Sequence, residues 1–177
     1  ISGTGAANAT VNYTIAGTSG SVSGTGTVSG TGTINITGIN VSSLPDGPLT
    51  LTVNLTSGSY SSANTTASAF KDTVAPAQAS NLTITNPINQ GNQTNISISG
   101  SGEAGGAANW TVADGSLSVS GTISIPGSGV FTISGINISS LADGSLILTI
   151  TVKDTAGNNS LAATTSSTKD TVTPTVS

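Results

Sequence analysis

Apolar and polar residues alternate with a period of two along most of the chain. Leu146, Leu148, Ile150 and Val152 alternate with Ile147, Thr149, Thr151 and Lys153, and Leu49, Leu51, Val53 and Leu55 do the same earlier. A strand sends successive side chains to opposite faces, so this period predicts strands with one face turned to a core. In the second half the pattern predicts strands at about 80–85, 94–99, 107–113, 117–125, 129–134, 145–153 and 160–168. Turn residues punctuate them: Asn86-Pro87, Gly105-Gly106, Asp114-Gly115, Pro126-Gly127, Asp143-Gly144 and Ala156-Gly157-Asn158. Helix signals are absent. Short alternating strands at this spacing predict an all-β, two-sheet sandwich. Trp110 falls in phase with Ala108 and Val112, which assigns its ring to the core rather than to a sugar-stacking platform.

The pattern occurs twice. Gly32-Thr33-Ile34-Asn35-Ile36-Thr37-Gly38-Ile39-Asn40-Val41-Ser42-Ser43-Leu44-Pro45-Asp46-Gly47 returns as Gly129-Val130-Phe131-Thr132-Ile133-Ser134-Gly135-Ile136-Asn137-Ile138-Ser139-Ser140-Leu141-Ala142-Asp143-Gly144, an offset of 97 (129 − 32) without a gap. The same offset pairs Ile1 with Ile98 and Tyr13 with Trp110. Lys71-Asp72-Thr73-Val74 matches Lys169-Asp170-Thr171-Val172 at 98 (169 − 71), so one residue is gained or lost in the last strand or the loop before it. The repeat predicts a domain over 1–74, a second over 75–173, and in 174–177 the start of a next repeat or a linker. Ile1 aligns with Ile98, so the first domain has no counterpart of 75–97 and is expected to lack N-terminal strands. The chain opens without Met or a signal peptide, which reads as a processed or excised piece.

Composition narrows the function. Serine and threonine make up one third of the 177 residues, charged residues only 6%, and the net charge is −4 with three basic side chains. Nucleic-acid binding needs basic patches, so it is not expected. No apolar run is long enough to span a membrane. The chain has no Cys, His or Met, which removes Ser-His and Cys-His nucleophile pairs and soft-metal sites, and no enzyme is expected.

The run Leu141-Ala142-Asp143-Gly144, continuing through Asp154-Thr155-Ala156-Gly157-Asn158 and closing with Lys169-Asp170-Thr171-Val172-Thr173-Pro174, resembles the bacterial Ig-like (Big-type) tandem repeats of giant surface adhesins and biofilm proteins. The resemblance covers nearly all of 77–173 and, more loosely, 1–74. It implies tandem immunoglobulin-like β-sandwich domains on the cell surface or in the extracellular space, with neighbouring copies as partners. It also implies calcium in some members, held at loops and domain junctions. Asp154, Asn158, Asp143 and Asp170 are the candidate ligands, although calcium takes six to eight oxygens and acidic residues are few. The alternative is that Asp143-Gly144 and Asp154 form side-chain-capped turns. The first copy departs here, with Ser57 at the place of Asp154.

Twelve Asn-x-Ser/Thr sequons are present, at Asn8, Asn12, Asn35, Asn40, Asn54, Asn64, Asn81, Asn92, Asn95, Asn109, Asn137 and Asn158. Glycans there would hydrate a charge-poor surface, but a polar outer strand face also writes Asn-Ile-Thr by itself. A Lys–Asn isopeptide bond would draw on Lys153 and Glu103. Three classes of function stay open: a spacer or stalk segment of an extracellular repetitive adhesin, a subunit of an extracellular filament or pilus assembled by strand donation, and a carbohydrate- or receptor-binding module.

Overall fold

The computed structural model describes residues 1–175; Val176 and Ser177, the end of the 174–177 segment, lie outside the described residues. Every regular element among them is a strand. Among the described residues no helix is long and apolar enough to cross a membrane. The chain divides into two compact units, Ile1–Thr73 and Val74–Ser177.

The first unit holds β1 (Ser2–Thr4), β2 (Thr10–Ala16), β3 (Ser21–Thr27), β4 (Thr33–Asn35), β5 (Gly47–Ser57), β6 (Tyr60–Ser61) and β7 (Thr65–Lys71). β1 and β4 form one small sheet. The other runs β3-β2-β5, with β6 and then β7 on the far edge of β5. The second unit holds β8 (Ser80–Ile84), β9 (Ile88–Asn89), β10 (Ile96–Ser101), β11 (Ala107–Ala113), β12 (Ser118–Ser124), β13 (Val130–Ile136), β14 (Gly144–Lys153) and β15 (Ala163–Asp170). Its sheets are β13-β10-β8 and β12-β11-β14-β15-β9, and every pairing except that of β15 with β9 is antiparallel.

Alternation explains the two-sheet packing. On β14, Leu146, Leu148, Ile150 and Val152 have no exposed surface, while the intervening Ile147 is 51% exposed. Ala108, Trp110 and Val112 of β11, the neighbouring strand of the same sheet, lie directly beside Val152, Ile150 and Leu148 and join the same core. Trp110 lies directly across from Gly121, whose missing Cβ leaves room for the indole: a Cβ there would stand 2.7 Å from the ring. Tyr13 and Gly24 repeat the arrangement in the first unit. The long central strand begins in both units at a glycine with positive φ, Gly47 at 127° and Gly144 at 129°, a conformation that a side chain resists. This is the physical content of the Asp-Gly pair that precedes it.

The predicted strands all fall on observed ones, and 107–113 coincides with β11. β9 went unpredicted, because a two-residue edge strand has no periodicity to read. The change of offset from 97 to 98 lies in the loop after the long strand. Ser62 Oγ accepts from Leu55 N in the first unit, and Ser160 Oγ accepts from Val152 N in the second, each at 2.9 Å. Seven positions separate the first pair and eight the second.

Candidate functional site

Three features stand out. The first is a latch at the end of each unit. Lys169 is 4% exposed, and its ammonium donates to the Leu141 carbonyl with Asp143 Oδ1 at 3.9 Å. Asp143 in turn accepts from the Thr171 N–H at 3.0 Å and from the Thr171 hydroxyl. The first unit repeats this: Lys71 donates to the Leu44 carbonyl at 2.6 Å and pairs with Asp46 at 3.3 Å, and Asp46 accepts from the Thr73 N–H and hydroxyl. The Leu-x-Asp-Gly and Lys-Asp-Thr motifs are therefore two halves of one clasp, which fixes the last strand where the chain leaves the unit. The Thr171 N–H is the chief cause holding the Asp143 carboxyl below its ordinary value; burial opposes it, and the Thr171 hydroxyl and the Lys169 charge reinforce it.

The second feature is the loop that follows β14. Asp154 is buried, and its carboxylate accepts from the Gly157 N–H at 2.6 Å, the Asn158 N–H at 2.8 Å and the Asn158 side-chain amide at 2.8 Å. Burial raises its pKa, but the hydrogen bonds from Asn158, Gly157 and Ala156 outweigh that and bring it below the ordinary value. In the first unit Ser57 and Tyr60 pair across a tight hairpin instead. The four candidate calcium ligands do not converge. Asp143 and Asp154 flank opposite ends of the ten-residue β14, about 36 Å apart at strand rise. Asp170 accepts from the Val172 N–H. No group of three or more acidic residues gathers among the described residues. The Asp154 oxygens already face N–H donors, an arrangement that suits a capped turn and does not fit a calcium cage. A chelator is expected to leave the melting curve unchanged; a drop of several degrees reversed by calcium would refute the capped-turn reading.

The third feature is a groove in the first unit. It lies between the β1–β4 pair and the β5–β7 sheet and has a volume of about 520 Å³. Ile1, Gly3, Leu51, Val53 and Leu55 line it, with Ala67 and neighbouring threonines of β7 along one wall. Leu51, Val53 and Leu55 are half-buried, whereas their equivalents Leu148, Ile150 and Val152 have no exposed surface. The buried apolar cluster of the unit is small, Ala9, Val11, Val28 and Ile34, with Leu44 and Leu49 buried apart from it. A second concavity, on the outer face of β2, β3 and β5, is shallow and lined by Asn12, Thr14, Thr25 and Asn54.

The sequon asparagines divide into two sets. Asn8, Asn35, Asn40, Asn64, Asn81, Asn95 and Asn137 are exposed. Asn12, Asn54, Asn92, Asn109 and Asn158 are half-buried and engaged: Asn12 donates to Asn54 at 3.0 Å, Asn109 accepts from Thr122 at 2.7 Å, and Asn92 donates to the Pro87 carbonyl at 3.1 Å. Trp110 is buried in the core and offers no sugar platform, while Tyr60 and Phe70 are 84% and 73% exposed. Lys153 and Glu103 are both exposed.

No protein-family model matches the chain, and no curated protein is significantly similar to it. Several solved structures are similar. One is a tetra-tandem repeat in the extending region of a large adhesion protein, 26% identical, TM-score 0.46, over 96% of this chain and 44% of that one. Another is a Ca2+-stabilised adhesin that helps an Antarctic bacterium reach out and bind ice, 23% identical, TM-score 0.49, over 97% and 43%. A third is the chicken CNTN1 FN1–FN3 domains, 12% identical, TM-score 0.50, over 92% and 56%. The last likeness carries the fold: an all-β, Ig- and FN3-like sandwich architecture. The chain spans about half the length of these solved chains.

Proposed function

We propose that this chain is a spacer segment of an extracellular repetitive adhesin or surface protein, built from tandem sandwich modules over 1–74 and 75–173. The observation that carries the reading is the repeated latch. A lysine and an aspartate clasp the exit of each unit in the same way, 97 to 98 positions apart, so each module hands the chain on in the same geometry. A device placed at the exits serves length and connection rather than chemistry on a substrate. Calcium forms no part of the reading. N-glycans on the seven exposed sequon asparagines do, since a surface with 6% charged residues gains hydration from sugar.

The test is an antibody raised against the chain. It is expected to label intact source cells, and the antigen, boiled in detergent, to run as one band far above 17.0 kDa that shrinks on enzymatic deglycosylation. Labelling that needs permeabilised cells would refute the surface reading. A band near 17.0 kDa would refute the tandem array and favour short filament subunits. A large band unchanged by deglycosylation would remove the glycans alone.

A further inference from the structure

The fold does not present the exposed sequons alike. Asn35 lies in β4 and Asn81 in β8, where the Asn81 amide also donates to Ser101 Oγ at 3.4 Å. Asn8, Asn64 and Asn95 stand just ahead of a strand, and their hydroxyl partners Thr10, Thr66 and Ser97 belong to β2, β7 and β10. Asn40-Val41-Ser42 and Asn137-Ile138-Ser139 differ from all of these. Each lies wholly in the loop that leads to the long central strand, after β4 in one unit and after β13 in the other. Asn40 Oδ1 accepts from the Ser42 N–H at 2.9 Å, and Asn137 Oδ1 accepts from the Ser139 N–H at 3.0 Å. Both sequons are thus closed on themselves as Asx turns. Ile138 has no exposed surface and Val41 is half-buried, whereas Asn40, Ser42, Asn137 and Ser139 are exposed. The middle side chain pins the turn to its unit and leaves the asparagine and the serine outside. Both turns stand just ahead of the carbonyl, of Leu44 or Leu141, that the latch lysine engages.

We propose that Asn40 and Asn137 are the preferred N-glycan acceptors of the folded chain, one in each module, 97 positions apart (137 − 40). The donor is an oligosaccharide on a lipid pyrophosphate, and the catalyst is a transferase of the source cell. The Asn Nδ2 forms a bond to the anomeric carbon, and the bond from that carbon to the pyrophosphate oxygen breaks. The lipid pyrophosphate leaves with the electron pair, and an Nδ2 proton passes to a base on the transferase. The enzyme must reach the amide nitrogen and the hydroxyl two residues on at the same time. A sequon inside a strand has its backbone committed to the ladder, and drawing it out costs those hydrogen bonds. The two turns are already bent, and the bond from Oδ1 to the backbone leaves Nδ2 on the far side of the amide. The proposal rests on the glycan part of the spacer reading and assigns its places. Asparagine also suits an Asx turn for its own sake, so the test separates the turn from the sugar.

The test is glycopeptide mass spectrometry on the protein from its source cells, comparing wild type with Ser42→Ala and Ser139→Ala. Each substitution removes the hydroxyl but keeps the Asn carbonyl and the backbone N–H that close the turn, so the melting curve should be unchanged. Wild type should show higher occupancy at Asn40 and Asn137 than at any other sequon. Each variant should lose the glycan at its own site and drop in intact mass by that one glycan, while Ser42→Thr should retain it. Glycans spread evenly over the exposed sequons, or concentrated on strand asparagines such as Asn35 and Asn81, would overturn the placement and leave the coating in force. A glycan at Asn40 that survives Ser42→Ala would overturn it too. A protein with no N-glycan would overturn both the placement and the coating, but not the tandem array, which the size of the band reads separately.

Discussion

Heated slowly, the chain is expected to lose structure in two steps, with the Ile1–Thr73 unit melting well before its neighbour. The second unit packs Leu82, Ile84 and Ile88 into a core that extends through Phe131, Leu146, Leu148, Ile150 and Val152. In the first, Leu51, Val53 and Leu55, the equivalents of the last three, are only half-buried. Fully burying one such side chain contributes about 1.5–3 kcal/mol, so leaving three of them half-buried lowers the stability by roughly 2–5 kcal/mol. Whole domains are stable by only about 5–15 kcal/mol. The first unit is therefore the less stable of the two. Trp110 is the single tryptophan and lies in the second unit. Its fluorescence should follow only the upper transition, while circular dichroism should show both. One coincident transition by both probes would mean that the open groove costs the first unit little.

The strand framework of both units was largely legible in the sequence, because alternation states both where a strand lies and which face is buried. β11 reads off directly from Ala108, Trp110 and Val112, and the offset of 97 carries the same reading to Val11, Tyr13 and Ile15 of β2. Other features leave no such trace. β9 is two residues long and pairs in parallel at an edge, so no period marks it. Asp154 and Asn158 were legible as a loop, but whether their oxygens face a cation or N–H groups depends on how the turn closes. Lys169 sits on the inward phase of β15 with Ala163 and Ser167. A lysine in that phase reads as an outer-face residue until its carbonyl partner is known. The exposure of Phe70 was equally hidden, since apolar character alone predicts burial and only the pairing of Phe70 with Pro48 at the sheet edge shows otherwise.

The Lys169→Ala variant is expected to destabilise the second unit by about 2–4 kcal/mol in urea titrations followed by Trp110 fluorescence. The stem of Lys169 is buried, so truncation leaves a void beside Leu141, which is itself 2% exposed. The Leu141 carbonyl loses its ammonium donor, and Asp143 loses the nearby charge. Lys169→Met fills the void without the charge and should recover about half of the loss, separating packing from hydrogen bonding. Lys71→Ala should cost the first unit less, because Lys71 is 16% exposed and water can reach the partners it leaves. Acid adds an independent check. The Asp143 carboxyl is held below the ordinary 3.8, chiefly by the Thr171 N–H, against burial and with the Thr171 hydroxyl and Lys169 in support. A depressed carboxylate stabilises the fold above the unfolded value and ceases to do so as pH falls through the folded one. Its contribution is therefore complete near neutrality and disappears below about pH 3.8. Because Lys169 deepens that depression, part of the gap between wild type and Lys169→Met should close as the pH drops through this window. A gap that stays constant into strong acid would assign the whole effect of Lys169 to its bond with the Leu141 carbonyl, and Asp143 would then clasp Thr171 alone.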